Sequence, residues 1–122
     1  MAGLEAMRVT HAELDVFIYR YGHDRDYWIA CLAALESPFR ERYIHAVTTQ
    51  TSVFLCDPLE WDETLSGCFQ DASRQAAELM RDVPEALGQC HRYWQLKQKV
   101  LRETYSITWF SPSEMNPGVF FD

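Results

Sequence analysis

The sequence is poor in the residues that interrupt regular structure, and it lacks the patterns of a membrane or secreted protein. Its 122 residues include five glycines and five prolines, and no cluster of them forms a linker. No stretch approaches the roughly 20 consecutive apolar residues that a membrane-spanning helix needs. An acid, Glu5, stands where a secretory signal would have a basic segment followed by an apolar one. We therefore expect one compact unit without a membrane span or a secretory signal.

Closely spaced cysteine pairs are absent as well. Cys31, Cys56, Cys68 and Cys90 lie far apart in the chain. This differs from the dense spacing of disulfide-stapled small domains and from the short Cys-x-x-Cys spacings of structural zinc sites. We expect all four to be reduced, buried thiols on helices or at helix edges, in a cytoplasmic protein.

Positive charge is scarce. Eleven basic residues stand against eighteen acidic ones, for a formal net charge of −7. Such a surface repels phosphate backbones and anionic lipids at long range, and it favours a basic partner. We therefore expect a protein partner of basic character and no binding to nucleic acid or membrane. The acids occur in both halves of the chain, so they do not form a separate acidic tail.

The common enzyme signatures are missing too. The chain has no glycine-rich phosphate loop, no Gly-x-Ser-x-Gly elbow, no His-Glu-x-x-His pair and no dinucleotide fingerprint. We expect a protein that is not an enzyme and that needs no cofactor or metal. The alternative is a small enzyme with dispersed His and Asp residues, with a metal ion as one option.

What the chain does have is apolar surface to bury. Hydrophobic residues make up 48% of it and aromatic residues 14%, well above the range of disordered chains. Its length suits one domain. We predict a mainly α single domain over 1–122, a bundle of about five helices. Residues 1–9 are expected to be a flexible N-terminus, and residues 106–122 a non-helical, aromatic-rich tail packed on the helices.

Apolar spacing and helix-end signals place the five helices. A capping box at Thr10 and a stop at Gly22 bound the first helix. Asp57 and Pro58 mark the start of the fourth, whose apolar pattern is the clearest in the chain. The predicted ranges are 11–21, 25–36, 38–55, 58 to about 83, and 84–105. Residues 48–55 are rich in β-branched side chains and could equally be extended, so helix or strand stays open there.

Two histidines near acids are candidate functional groups. His11 and Asp15, four residues apart on the first helix, could present an imidazole and a carboxylate to one metal ion. His23, beside Asp24 and Asp26, could act as a base or a pH-sensitive group. Two ligands do not make a metal site, and no nucleophile accompanies His23. We therefore interpret both groups as solvated or capping residues.

The adjacent pair Cys90 and His91 is a third candidate. With Cys56 or Cys68 it could form a zinc site, or it could act as a nucleophile and its base. Cys90 falls on the predicted apolar face of the last helix, so a core cysteine is the simpler interpretation. A functional role is left open for each of the four histidines, His11, His23, His45 and His91.

Two features suit a binding surface: the acidic stretch around Trp61 at the start of the fourth helix, and the aromatic C-terminal segment around Trp109 and Phe110. Tryptophan is enriched at interface hot spots, and surrounding acids would speed the encounter with a basic partner. Acids at a helix N-terminus also complement the helix dipole, and Trp61 could face inward, so an ordinary helix start is the alternative. The predicted partner-binding residues are Asp57, Glu60, Trp61, Asp62 and Glu63.

Size, acidity and the lack of catalytic motifs favour a small protein-binding module. The class that fits best is a stoichiometric inhibitor, such as a bacterial immunity protein or antitoxin that neutralises a basic toxin. One alternative is the small enzyme described above. Another is a homo-oligomeric structural or regulatory subunit, a homodimer for instance, in which the aromatic tail packs on a neighbouring copy.

Overall fold

The computed structural model describes residues 4–84 and 88–121. Within these ranges the chain contains helices and no strand, so the predicted mainly α class is confirmed. The helices belong to two compact units, one ending at Leu55 and one beginning at Cys56. We call them the N-terminal unit and the C-terminal unit. Whether they fold together as the one domain expected over 1–122 stays a prediction.

Four helices build the N-terminal unit, and α2 contacts both α3 and α4. They are α1 (Leu4–Met7), α2 (His11–Tyr21), α3 (Arg25–Ala33) and α4 (Phe39–Thr49). Both ends of α2 match the prediction. The capping box forms as expected, with the backbone N–H of Glu13 donating to Thr10 Oγ1 over 3.1 Å, and Gly22 follows the last turn.

The segment before α2 is folded from Leu4 onward. Its helix α1 is a single turn, and both Met7 and Val9 are almost fully buried. The expectation of a flexible terminus over 1–9 did not anticipate this packing, because one helical turn is too short to produce a recognisable period. Residues 1–3 lie outside the described part of the chain.

Aromatic rings from α2 and α3 form the centre of the N-terminal core. Phe17 is fully buried, and its ring centroid lies 5.0 Å from that of Trp28. Trp28 donates its indole N–H to the Gly22 carbonyl over 2.7 Å. This bond satisfies the polar atom of a buried ring and fixes the connection between the two helices. Other buried side chains of this unit include Leu14, Leu32, Ile44 and Val47.

The helices α3 and α4 are shorter than predicted. α3 ends at Ala33 instead of residue 36, and α4 ends at Thr49 instead of residue 55. The residues after Thr49 are neither helix nor strand, so both alternatives for this segment were wrong beyond that point. The hydroxyl of Thr49 donates to the His45 carbonyl over 2.6 Å, a local bond typical of threonine near helix ends.

Arg20 of α2 explains where α4 stops. Its Nη1 donates to the carbonyls of Val47 and Gln50 over 2.7 and 2.8 Å, and its Nη2 donates to the Ser52 carbonyl over 3.1 Å. The last carbonyls of a helix need partners from outside it. A guanidinium with several donors supplies them here, so the chain can leave the helix without losing hydrogen bonds.

Over residues 56–84 and 88–121, the C-terminal unit has two long helices and three short ones. They are two 3-10 turns, Pro58–Trp61 and Glu63–Leu65, then α5 (Ser66–Met80), α6 (Gln89–Tyr105) and α7 (Pro112–Met115). The α-helix predicted to begin at residue 58 and end at about 83 therefore begins at Ser66 and ends at Met80, so the predicted start was wrong. Asp62 has extended backbone angles, and its carboxylate accepts from the Thr64 backbone N–H over 3.0 Å. This local bond competes with helical hydrogen bonding and delays the α-helix.

α6 begins later than predicted. Gly88 precedes it with φ of 82°, a left-handed conformation that interrupts the helix expected over 84–105. Residues 85–87, which belong to the helix predicted over 84–105, lie outside the described part of the chain. The predicted end at Tyr105 is confirmed, because Ser106 follows in a left-handed conformation with φ of 56°.

α5 and α6 pack along each other and against the segment that follows α6. The buried side chains of this core are Phe69, Ala72, Val100, Leu101 and Trp109. Tyr105 at the end of α6 donates its hydroxyl to Asp71 of α5 over 2.5 Å. The two helices are therefore joined by an apolar contact surface and by a polar bond at its edge.

Residues 106–122 were predicted to be a non-helical tail packed on the helices. The tail is packed, but it contains one short helix, α7. Trp109 and Met115 are buried, as expected for a packed tail. The sequence analysis missed α7. Its start has a capping box of Ser111 and Glu114, with Pro112 at the first helical position. Phe120 is 87% exposed, whereas Phe121 is half-buried and its ring centroid lies 5.3 Å from that of Trp94.

Candidate functional site

The predicted binding residues lie on the two 3-10 turns that open the C-terminal unit. Asp57 caps the first turn, with its Oδ1 accepting from the Leu59 backbone N–H over 3.0 Å. Asp62 caps the second in the same way. Both are Asx-type caps, in which an aspartate side chain satisfies backbone donors of the following residues.

Asp57 is not on the surface. Its side chain is fully buried, and its second oxygen accepts from the Phe110 backbone N–H over 2.9 Å. The expectation that Asp57 faces a partner is thus corrected, because a carboxylate with both oxygens bonded to the backbone holds the chain together from within. The sequence could indicate the cap at Leu59, but not the distant donor at Phe110.

Glu60 also faces the protein. Its Oε2 accepts the indole N–H of Trp109 over 3.0 Å, and Trp109 is buried. Lys97 of α6 places its ammonium 4.6 Å from the centroid of the Trp109 ring. One ring is therefore held by an acceptor at its edge and by a cation over its face. Together with Asp57, this contact fixes the first 3-10 turn to the segment after α6.

Three of the predicted residues remain exposed, and we call them the Trp61 patch. They are Trp61, Asp62 and Glu63, and the Trp61 side chain is 60% exposed. The hydroxyl of Thr64 donates to Asp62 over 2.6 Å, and with the Thr64 backbone N–H it lowers the pKa of the Asp62 carboxyl. Asp62 is therefore ionised at neutral pH. The patch combines a large exposed ring with two adjacent acids.

Cys56 lies just before these turns and is half-buried. Burial raises the pKa of its thiol, with a contribution from the nearby carboxylate of Glu60. A cysteine nucleophile needs a lowered pKa, so the environment of Cys56 acts against that role. None of the four cysteines forms a disulfide, and all four are half-buried, which corrects the expectation of buried thiols.

The pair His11 and Asp15 is brought together, but with Arg25 between them. Arg25 Nη2 donates to Asp15 over 2.6 Å, and its Nη1 lies 3.1 Å from His11 Nδ1. Because a guanidinium only donates, His11 Nδ1 accepts this bond. A cation already occupies the position where the proposed metal would bind. Among residues 4–84 and 88–121, no group of three His, Cys, Asp or Glu side chains is arranged to hold a metal ion.

His23 and Asp24 form the connection between α2 and α3. Asp24 accepts from the Tyr27 backbone N–H over 2.8 Å and so caps α3. His23 has a positive φ of 65°, and its ring stacks on that of Tyr27 with centroids 3.8 Å apart. These contacts suit a structured turn that leads into α3, in agreement with the interpretation as capping residues.

His91 contacts the C-terminal segment. Its Nε2 lies 2.9 Å from the Phe121 carbonyl, and its ring packs edge-on against Trp94. His45, on α4, is exposed. Neither histidine belongs to a cluster of metal-binding side chains in the described part of the chain.

Sequence reasoning missed the residues that hold the candidate surface in place. Lys97 looks like an ordinary helix charge in the sequence. The expectation that Trp109 belongs to a binding surface is corrected, because its side chain is buried and its indole N–H is bonded to Glu60. The short helix α7 had a readable signal, Ser111 three residues before Glu114 with Pro112 between them.

No known protein family, curated protein or solved structure matches this chain. Within the described residues, no helix is both long enough and apolar enough to cross a bilayer. The function proposed below therefore rests on the residues and contacts of this chain alone.

Proposed function

We propose that this chain is a small acidic protein-binding module that binds a basic protein partner through the Trp61 patch. More narrowly, we propose a stoichiometric inhibitor that acts in the cytoplasm, of the kind represented by bacterial immunity proteins and antitoxins that neutralise basic toxins. The observation that carries the proposal is an exposed tryptophan on a turn that buried hydrogen bonds hold in place.

The turn that carries Trp61 is preorganised. Asp57 bonds to backbone N–H groups both within the turn and at Phe110, and Glu60 bonds to Trp109. A contact residue on such a support loses little conformational freedom when it binds. Trp61 therefore suits the role of an anchor that fills a pocket on a partner.

Charge supports a basic partner. The C-terminal unit has eleven acidic and six basic residues, whereas the N-terminal unit has seven and five. The Trp61 patch thus belongs to the more negative unit, and the acids Asp62 and Glu63 lie next to its aromatic ring. A field of this sign speeds the approach of a positively charged surface and weakens with added salt.

The test is quantitative co-purification from extract of the source cells, with the full chain as bait. The wild type is expected to recover one basic protein in equimolar amount. Trp61→Ala and the double variant Asp62→Lys with Glu63→Lys are expected to lose it while keeping the helical circular dichroism of the wild type. Recovery of no stoichiometric partner would overturn the proposed function.

Matched controls come from α5 and α6. Leu79 is a similarly exposed apolar side chain on α5, and Glu103 is an exposed acid on α6. Leu79→Ala and Glu103→Lys are expected to keep the partner. If these controls lose it as readily as the Trp61 variants, the binding surface lies elsewhere.

A further inference from the structure

A small polar cleft lies between α6 and the segment that follows it. Its volume is about 150 Å³. One wall is a row of side chains on α6 that recur at helical spacing, His91, Gln95 and Gln98. The opposite wall comes from Ser113 and Glu114 at α7. Trp94, half-buried, adds an aromatic ring to the lining.

The donors of the Gln98 side chain are already used. Its Nε2 donates to the Trp109 carbonyl over 3.0 Å and also to Glu114 Oε1. An amide nitrogen has two protons, so both are engaged and the Oε1 atom of Gln98 is left as an acceptor.

The donor and acceptor atoms of the His91 ring can be assigned in the same way. Its Nε2 lies 2.9 Å from the Phe121 carbonyl, and a carbonyl only accepts, so Nε2 carries the proton. In this tautomer the Nδ1 atom is an acceptor. His91 and Gln98, two side chains that line this wall, thus each keep one acceptor atom that these bonds do not use, while Gln95 carries both donors and an acceptor.

Glu114 adds a negative charge. Its Oε1 accepts from Gln98, from the Ser111 backbone N–H over 3.0 Å and from the Ser111 hydroxyl over 3.1 Å. Among the described residues, the hydrogen bonds of this exposed carboxylate are made by Oε1, and a second donor could reach its Oε2. The cleft thus combines one carboxylate, further acceptors and a tryptophan ring.

A ligand for these groups must carry several N–H donors and a positive charge. An anion would meet the carboxylate of Glu114. A metal ion would find too few ligands, because no suitable group of three metal-binding side chains is present in the described residues. A guanidinium offers five donors in one plane and stacks on aromatic rings, so it fits the acceptors and Trp94 together.

We infer that the cleft between α6 and α7 binds an arginine side chain of the basic protein partner. This inference rests on the proposed function, since it gives that partner a second point of contact beside the Trp61 patch. It also makes a claim that needs no partner in hand, because a blocked single arginine carries the recognised group.

The experiment is a titration of the full 15N-labelled chain with N-acetyl-arginine amide, followed at the indole N–H of Trp94 and the side-chain amide of Gln98. N-acetyl-citrulline amide has nearly the same shape without the charge, and N-acetyl-lysine amide has the charge without the planar group. We expect saturable shifts with the arginine compound, and at least about tenfold weaker binding of the other two.

The matched variants are Glu114→Gln and Glu103→Gln. Glutamine preserves the capping box at Ser111 but removes the charge, so the arginine compound should bind about tenfold more weakly. Glu103 is exposed on α6 and does not line the cleft, so its variant should bind like the wild type. Absence of saturable shifts, equal binding of citrulline or lysine, or unchanged binding in Glu114→Gln would each overturn the inference.

This inference and the proposed function fail separately. If co-purification finds no partner while the arginine compound binds at the cleft, the proposed function is wrong and the site stands. If a partner binds through the Trp61 patch but the arginine compound does not bind, the cleft assignment is wrong and the proposed function stands.

Discussion

Asp57 and Asp62 are five positions apart and cap successive turns, yet their surroundings differ. Asp57 is fully buried with a backbone N–H on each oxygen, from Leu59 and from Phe110. The side chain of Asp62 is exposed and accepts from the backbone N–H and the hydroxyl of its neighbour Thr64. One acid therefore supports the fold, and the other is available to a partner.

Replacing Asp57 with alanine should lower the free energy of unfolding by about 2–3 kcal/mol. The change removes a cap and also the part-buried carboxylate bond to the Phe110 N–H. Urea denaturation measures the loss, and Asp62→Ala, which removes an exposed cap, should have a clearly smaller effect. Equal losses in the two variants would contradict the structural role assigned to Asp57.

Asp71 should make the stability of the C-terminal unit sensitive to acid. Its carboxylate accepts from Tyr105, Arg74 and Gln75, and these bonds, that of Tyr105 first, lower its pKa below the ordinary value of 3.8. A lowered carboxyl pKa stabilises the folded state above the unfolded pKa, and this stabilisation is lost as pH falls through 3.8 toward the lowered value.

The measurement is the melting temperature between pH 7 and pH 2, compared for the wild type and Asp71→Asn. Asp71→Asn should melt lower at neutral pH, and the gap should narrow as the solution becomes acidic. Tyr105→Phe should reduce the same acid dependence by a smaller amount, since Arg74 and Gln75 still donate to Asp71. If the difference in melting temperature between the wild type and Asp71→Asn stays constant from pH 7 to pH 2, Asp71 is not the group that makes the stability sensitive to acid.

At the scale of single residues, the sequence predicts contacts between residues that are close neighbours in the chain. The caps at Thr10 and Asp57 can be read from neighbouring residues, because the bonded groups are two or three positions apart. The contacts of Asp57 with Phe110 and of Glu60 with Trp109 span about half the chain. Nothing in local spacing distinguishes these acids from the exposed ones, so the candidate site was predicted only in part.

Among the elements, helices with signals at both ends were predicted best. α2 has a capping box at its start and Gly22 at its end, and its limits agree with the prediction. α4 lacks an end signal of its own, because Arg20 from another helix supplies the partners of its last carbonyls. The start of α5 was misplaced because the bond from Thr64 to Asp62 extends the chain there.

Replacement by alanine should have opposite effects on stability at two of the glycines, Gly88 and Gly67. Gly88 has φ of 82° before α6, so Gly88→Ala should destabilise the protein by about 1 kcal/mol. Gly67 lies within α5 with open space around its Cβ position, so Gly67→Ala should stabilise it by about 0.5–1 kcal/mol. Thermal unfolding of both variants checks the pair, and the same sign for both would contradict the assigned backbone conformations.

Arg20 should be important for the end of α4. Arg20→Ala removes three donors to backbone carbonyls and should lower the free energy of unfolding by about 2–3 kcal/mol. Arg20→Lys keeps the charge but not the planar set of donors. Its free energy of unfolding should therefore lie between those of the wild type and Arg20→Ala. Amide hydrogen exchange should show faster opening over residues 47–52. Unchanged exchange there would mean that α4 ends for another reason.

At the scale of the whole molecule, the sequence predicted the mainly α class because apolar residues recur at helical spacing. It did not indicate two compact units, since no glycine, serine or proline linker separates Leu55 from Cys56. The net charge predicted a basic partner for the chain as a whole. The structure adds that the exposed tryptophan lies in the more acidic unit, next to two exposed acids.

The most direct test of the central claim is the affinity of one purified partner for the wild type and for Trp61→Ala, measured by calorimetry at two salt concentrations. An anchor of this kind predicts at least about thirtyfold weaker binding for Trp61→Ala, with Leu79→Ala within about twofold of the wild type. Binding to the wild type should also weaken as salt is added. Equal affinities of the wild type and Trp61→Ala would contradict the claim that Trp61 anchors the partner.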